Sequence, residues 1–498
     1  MGKICVSLGR GRHQQMMAEH QHVAQHGCEL VELRVDWILR PVNVKRLLTD
    51  RPTPVVFTCR RQSDGGRWTK PENERLMLLR SAIVEGVDYV DLEEDIAASI
   101  PRYGKTKRII SYHNFRETPD NLWEIHQRMQ KMDADIVKLA TLAHNQYDNL
   151  RMMRLVKEAP VPTIGLCMGE TGMPTRILCG KFGSPFSFAT LHAARTMAPG
   201  QLTFRDMRDL YRFPSVNAQT EIYGVIADPV AHSLSPHVHN AGFAAHQLNK
   251  VYLPFRVLSD ELPSFMANCR ELGIRGLSVT IPHKEAAVRY LSQVEDAAQA
   301  VGAVNTIDFS GPTAVGSNTD LAAAVESVVR SMGRADRIQP LEGVRVLILG
   351  AGGVARAIAT GLTQQGALCI ITGRTSGRAE NLAQQVGGQA VEWEARSSVR
   401  CDLVVNCTPI GMHPNVNDTP FPEGLLGHMV VFDTIYNPEQ TLLIKQARAA
   451  GCAVITGVDM FIGQAAWQYQ IFTNHKQKAP VDVMRRELMR RIGAAQES

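Results

Sequence analysis

The chain has 498 residues, 44% of them hydrophobic and 21% charged, which predicts about three globular domains at roughly 100–200 residues each and excludes collagen, miniprotein and disordered readings. Lys+Arg 54 against Asp+Glu 49 leaves a net charge of +5, scattered without a basic block, so nucleic acid and membrane surfaces are poor partners and a small acidic metabolite stays open. The ten cysteines form no CxxC pair, so reduced thiols in a cytoplasmic protein are expected and no metal site is; no apolar run is long enough to span a bilayer.

The N-terminal "MGKICVSLGR" has no apolar signal core and carries Val6 where a myristoylation signal needs Ser or Thr, so it reads as a buried strand. Seven more apolar runs follow, "CELVELRVD", "PVVFTC", "VDYVDLE", "RIISYH", "ADIVKLA", "PTIGLCM" and "FSFAT", each trailed by a segment of helical period. Eight buried strands alternating with helices over about 210 residues fit a closed (β/α)8 barrel, with an open sheet as the rival. The polar stretch "LYRFPSVNAQTE" is the expected linker. A second α/β pattern begins at "IYGVIADPVAHSLSPHVHNAGF" and includes "VYLPFRV" and "IRGLSVTIP". From Val344, "VRVLILGAGGVARAIATGL" is a strand, a glycine-rich turn and a helix, followed by the strand "LCIITGRT", which predicts a Rossmann-like domain. The terminal "VMRRELMRRIG" reads as a surface helix.

Reactive side chains of a barrel sit at the C-terminal ends of its strands. Charges interrupt four of these runs: Glu32 and Arg34, Arg60 and Arg61, His113, and Lys138. A buried ammonium costs several kcal/mol unless it is paired or neutralised. Desolvation and nearby cations favour the neutral amine, a nucleophile towards ketones. A histidine on an adjacent strand can then serve as base for a proton made acidic by the iminium, while arginines hold a carboxylate. The plainer alternatives are a lysine snorkelling to the rim, a structural histidine and an Arg34–Glu32 ion pair.

The motifs "VELRVD", "FTCR", "SYHNF", "DIVKLA", "CMGETGMPTR", "FGSPFSF" and "APGQ" occur in the order in which they resemble type I 3-dehydroquinate dehydratase across residues 1–212. The resemblance implies a Schiff base between Lys138 and the C3 ketone of 3-dehydroquinate, with His113 taking the C2 proton and protonating the departing hydroxyl. It further implies substrate binding by Ser7, Glu32, Arg34, Arg60, Arg176 and Gln201. The chain departs from the pattern at Asp64, where Glu is usual, with a small shift of His113 expected, and at Met197, where a Ser hydroxyl of the substrate lid is missing.

In the third domain, Gly350, Gly352 and Gly353 of "GAGGVARA" let backbone N–H groups and a helix N-terminus approach a pyrophosphate, although a glycine turn without a ligand reads the same way. Where an NAD enzyme needs an acid for the ribose, "TGRTSGR" offers Arg374, Thr375 and Arg378, so NADP is expected. Upstream, Ser233, Ser235, Thr280, Lys284, Asn305 and Asp320 supply hydroxyls, an amine, an amide and a carboxylate suited to a polyol acid; singly, most of these residue types are caps and turns.

With "NCTPIGM", "YNP" and "GVDMFIGQAAWQ", this set resembles shikimate dehydrogenase over about 221–498. What it implies is hydride transfer from NADPH to the C3 carbonyl of 3-dehydroshikimate, with Lys284 and Asp320 as the acid/base pair. Ser233 and Ser235 would hold the substrate carboxylate, and Thr280, Asn305, Tyr436 and Gln464 the ring hydroxyls. Cofactor contacts would fall to Gly350, Ala351, Gly352, Gly353, Val354, Arg374, Thr375, Arg378, Thr434, Gly457 and Met460. Gly373 and Ser278 each replace an Asn of the family pattern, with weaker cofactor and substrate binding expected. Ser235, glycine in relatives that act on quinate, argues for shikimate. Expected domains are a barrel at 1–212, a linker at 213–220, a substrate domain at 221–320, a Rossmann-like NADP domain at 321–455 and returning helices at 456–498. Together the halves resemble bifunctional fusions that catalyse consecutive steps. The rivals are an inactive metabolite sensor, against which Lys138, His113, Lys284 and Asp320 speak, and a fusion to a quinate dehydrogenase.

Overall fold

The computed structural model describes residues 2–496. The chain divides into two compact units, Met1–His232 with Asn249–Ile274, and Ser233–Leu248 with Arg275–Ser498.

In the first unit, the eight predicted runs become strands: β1 Lys3–Leu8, β2 Leu30–Arg34, β3 Val55–Thr58, β4 Tyr89–Glu93, β5 Lys107–Asn114, β6 Ile136–Leu142, β7 Thr163–Met168 and β8 Phe186–Thr190. They pair in the order β7-β6-β5-β4-β3-β2-β1-β8, every pair parallel. β7 and β8 end this order, yet Leu166 and Met168 of β7 and Phe188 of β8 line one cavity, so the sheet curls round into a barrel. β2, β3, β7 and β8 are buried at every position. Such strands lose the alternation of a half-exposed sheet and read as continuous apolar runs, which is why they were legible.

The 213–220 stretch is packed: Phe213 is fully buried and Val216 nearly so, and Lys181 Nζ donates to the carbonyls of Ala218 and Thr220 at 2.9 and 2.8 Å. The unit also holds a parallel pair, β9 Glu221–Ala227 and β10 Lys250–Arg256.

In the second unit, β11 Ile274–Val279, which belongs to it from Arg275 onward, runs antiparallel to a later strand, Thr306–Asp308 (β13). β13 is antiparallel to β14 Val315–Ser317, and β14 is parallel to β12 Gln293–Val294. The remaining strands, β15 Arg345–Leu349, β16 Leu368–Thr372, β17 Gln389–Ala390, β18 Leu403–Asn406, β19 Val430–Asp433 and β20 Ala453–Ile455, form a parallel sheet in the order β17-β16-β15-β18-β19-β20. This is the Rossmann order, whose reversal between β15 and β18 opens a crevice at their carboxyl ends. One core side collects Val346, Ile348, Ile371, Val405 and Phe432 with Ile358 and Leu362 of the helix Gly353–Gln364. The terminal helix Val481–Gln496 buries Met484, Leu488 and Ile492, one stripe at helical spacing. Among the described residues no helix is long and apolar enough to cross a membrane.

Candidate active sites

The first unit brings Ser7, Glu32, Arg34, Arg60, His113, Lys138, Arg176 and Gln201 to one cavity, lined also by Asp64, Phe188 and Met197, while Arg61 stays outside it. Strand periodicity does this: side chains two apart on a strand share a face, and the register Ser111↔Lys138 sets His113 and Lys138 on neighbouring strands.

Lys138 is not the isolated amine that burial alone predicts. Its Nζ donates to Asp91 Oδ2 at 2.9 Å and lies 4.1 Å from the Phe188 ring centre. Asp91, fully buried, also accepts from Ser111 Oγ at 2.6 Å and sits 2.7 Å from Arg60 Nη2. Burial alone would raise its carboxyl, but Arg60, Lys138 and His113 together hold it well below the usual carboxylate range. The cations expected around Lys138 are there; the anion between them was missed. Burial, with Arg60 and Lys138 near, also pushes the His113 imidazole well below the ordinary histidine value. It therefore stands as a neutral base at pH 7, with Arg60 Nη1 3.4 Å from its Nδ1.

Arg34 pairs with Asp36, through Nε at 2.9 Å and Nη2 at 2.8 Å, and not with Glu32. Glu32 instead accepts from Ser7 Oγ at 2.6 Å and Thr58 Oγ1 at 2.8 Å. Arg61 turns away to Asp64 and Asp95. Met197 reaches Arg34 Nη1 with its sulfur at 4.0 Å, and its N–H donates to Gln201 Oε1 at 2.9 Å. Arg176 stands apart: it is buried, donates Nη2 to the Pro199 carbonyl at 3.1 Å, and has no carboxylate partner among the described residues. Its Nε is unbonded, and burial lowers the guanidinium to about 10, still a cation at neutral pH. A buried cation without an anion is chemically suited to an anionic ligand.

In the second unit, Lys284 Nζ donates to Asp320 Oδ2 at 2.6 Å, Asp320 lying in the first turn of the helix Thr319–Ser331 capped by Asn318. Asn305 is held by Thr319, which gives its N–H to Asn305 Oδ1 at 2.8 Å and accepts from Nδ2 at 3.0 Å. Ser233 Oγ accepts from the Ser235 N–H at 3.4 Å where the helix Ser235–Ala245 begins. Thr280 follows β11, Tyr436 packs on Phe461 at 5.3 Å, and Gln464 Nε2 donates to the Phe461 carbonyl at 3.1 Å. Ser278 donates to Gln468 Oε1 at 2.8 Å, and Gln468 Nε2 reaches the Asn305 carbonyl at 3.2 Å, a support that the sequence did not single out.

The glycine-rich turn leaves β15 at Gly350, whose φ of +107 and 3.0 Å approach of a Cβ to the Cys407 carbonyl favour glycine. Nothing lies within 4 Å of where a Cβ would stand on Gly352 or Gly353, and Ala351 and Val354 flank them at the N-terminus of the helix Gly353–Gln364. Arg374, Thr375 and Arg378 are exposed just beyond β16, and neither arginine has a carboxylate partner among the described residues. Open glycines and unpaired cations fit a dinucleotide with a 2′-phosphate. Thr434 Oγ1 donates to the Asn406 carbonyl at 2.8 Å; a Cβ on Gly457 would meet the Ile435 carbonyl at 2.2 Å; Met460 is buried in the core. Gly373 lies close to the turn, a Cβ there falling 3.9 Å from Ala351 N. Asp433, also missed, is fully buried at the end of β19, and burial raises its carboxyl to about 6.

A barrel with a buried strand lysine beside a neutral histidine is a Schiff-base lyase in form; the second unit is a nicotinamide-dependent dehydrogenase. Comparison with known proteins agrees on both. The family model for type I 3-dehydroquinase matches residues 4–218, the shikimate dehydrogenase substrate binding domain 225–307, the coenzyme F420-dependent NADP oxidoreductase model 345–435, and the shikimate 5′-dehydrogenase C-terminal domain 457–489. A chloroplastic bifunctional 3-dehydroquinate dehydratase/shikimate dehydrogenase of Arabidopsis thaliana is 38% identical over 494 residues, 94% of this chain and 82% of the relative. A shikimate dehydrogenase (NADP(+)) of Maridesulfovibrio salexigens is 39% identical over 259 residues, 51% of this chain and 92% of the relative. A crystal structure of a shikimate dehydrogenase in complex with NADP+ superposes with a TM-score of 0.52 at 36% identity, covering 55% of this chain and 97% of that one. The chain belongs to the family of bifunctional 3-dehydroquinate dehydratase/shikimate dehydrogenases.

Proposed function

We propose that the chain dehydrates 3-dehydroquinate in its first unit and reduces the product, 3-dehydroshikimate, to shikimate with NADPH in its second. The observation that carries this reading is the pair Lys138 and Arg176 in one cavity: a buried amine for a ketone and an unpaired buried guanidinium for a carboxylate.

In the first step the amine of Lys138 condenses with the C3 ketone and releases water. The iminium is a cation, as the ammonium was, so Asp91 at 2.9 Å stabilises the charge on both sides of the condensation. It also withdraws electrons from C2, whose proton passes to His113; the same imidazole returns a proton to the departing hydroxyl, and hydrolysis frees Lys138. Arg176 takes the carboxylate, while Arg34, Arg60, Glu32, Ser7 and Gln201 hold the ring oxygens.

In the second step, NADPH seated on Gly350, Ala351, Gly352, Gly353 and Val354 with its 2′-phosphate at Arg374, Thr375 and Arg378 would supply the hydride. Lys284, held by Asp320, donates a proton to the C3 oxygen as charge develops there and recovers it from solvent. Ser233 and Ser235 receive the carboxylate, Thr280, Asn305, Tyr436 and Gln464 the hydroxyls, and Thr434, Gly457 and Met460 flank the nicotinamide. The functional divisions fall at 1–212, 213–220, 221–320, 321–455 and 456–498, and the setting is cytoplasmic, which the ten unpaired thiols support. A coupled assay with 3-dehydroquinate and NADPH, following cofactor oxidation, tests it: oxidation that depends on both is expected, and none with either 3-dehydroquinate or 3-dehydroshikimate contradicts it.

A further inference from the structure

Beyond the groups that line the barrel cavity, a row of buried charge leads away from it. Asp91 and Glu93 are two apart on β4 and so share a face. Glu93 is in register with Ser111 of β5, and Ser111 with Lys138 of β6, so the three stand in one layer. Glu93 Oε1 accepts from Arg60 Nη1 at 3.0 Å, and its Oε2 from Arg75 Nη1 at 2.8 Å. Arg75, on the helix Glu72–Val84, is fully buried. Its Nη1 also reaches the Cys59 carbonyl at 2.7 Å, and its Nη2 and Nε clasp Glu72 at 2.6 and 2.9 Å. Arg75, Glu93, Arg60, Asp91 and Lys138 thus alternate in sign, with side chains between 0% and 7% exposed.

A buried ion pair roughly breaks even against apolar side chains of the same volume, so stability does not account for four such pairs in a row. The row ends on the nucleophile, and its middle member is divided: Arg60 Nη1 serves Glu93 at 3.0 Å, Ser111 Oγ at 3.2 Å and His113 Nδ1 at 3.4 Å. Whatever fixes Glu93 therefore fixes how closely that cation approaches the base. Neither Arg75 nor Glu93 lines the cavity.

We propose that Arg75 and Glu93 are positioning residues for the dehydration, acting through Arg60 on His113. The inference rests on the reading of Lys138 and His113 given above. The charges that act most strongly on His113 are Arg60 after β3, Lys138 of β6, Asp91 of β4 and Arg34 of β2; Glu32, Asp64 and Arg176 line the same cavity, and Phe115 stacks at 6.4 Å. Without Arg75, Glu93 turns both oxygens on Arg60, draws it from His113, and the imidazole gains a proton more readily. With Glu93→Gln the pull on Nη1 weakens, Arg60 settles toward His113, and protonation becomes harder.

The test is the pH profile of kcat/KM for dehydration, whose acidic limb reports protonation of the base. The limb should move to higher pH in Arg75→Met and to lower pH in Glu93→Gln, each by about half a unit or more. In Arg75→Lys, which keeps the charge, it should lie near the wild type. Glu93→Gln preserves shape and both arginines, so it remains informative if Arg75→Met fails to fold. A limb that stays put in Glu93→Gln, or moves the same way in both variants, overturns the proposal. A wild-type protein without turnover on 3-dehydroquinate overturns the reading of the site and this inference with it.

Discussion

The two sites handle charge in opposite ways. In the barrel, the amine, the carboxylates and Arg60 are sunk in an interlocked buried row; in the dehydrogenase, Lys284 and Asp320 keep 25% and 13% of their side chains exposed and the arginines after β16 stand in solvent. Covalent chemistry on a lysine needs its charges fixed before substrate arrives, because a dry site reorganises poorly and rewards prearranged dipoles. Reduction by a diffusible cofactor needs open glycines, free cations and a lysine that solvent can re-protonate.

Substitutions that act on one site and spare the other sharpen this contrast. Lys138→Ala should abolish dehydration, by about 10⁴-fold or more, while reduction of 3-dehydroshikimate continues at the wild-type rate; parallel loss of both activities would break the separation. Lys284→Met should slow reduction by about 10²- to 10⁴-fold and leave dehydration intact, as steady-state assays of each half can show. Arg374→Ser with Arg378→Ser should raise the KM for NADPH by about tenfold to a hundredfold and leave that for NADH unmoved, since charge-assisted hydrogen bonds contribute about 1.5–3 kcal/mol. An equal rise for both cofactors would place the arginines elsewhere. The smallest effect concerns pH. Because the His113 value lies below the ordinary one, its base form persists on acidification, and dehydration should hold its kcat/KM below about pH 6.5, where a free imidazole would already be losing it.

The sequence carried the barrel far better than the barrel's electrostatics. Strands buried on both faces spell themselves as apolar runs, so β1 to β8 were visible, as was the glycine turn after β15. Charges that break such a run, Lys138 above all, were equally plain. Asp91 and Glu93 were hidden in "VDYVDLE", where their alternation reads as strand period and nothing local announces that two arginines and a lysine converge on them. Arg75 was invisible for the same reason, being one charge among several on a helix. The exchange of Asp36 for Glu32 as partner of Arg34 shows the limit: spacing tells which face a residue takes, not which of two nearby acids it meets.

The most direct measurement is reductive trapping. Borohydride added to the protein turning over 3-dehydroquinate should fix the ligand by a secondary amine to the peptide containing Lys138, seen as one added ligand mass, and should fix nothing in Lys138→Ala. A label on another peptide, or none while dehydration proceeds, would contradict the account.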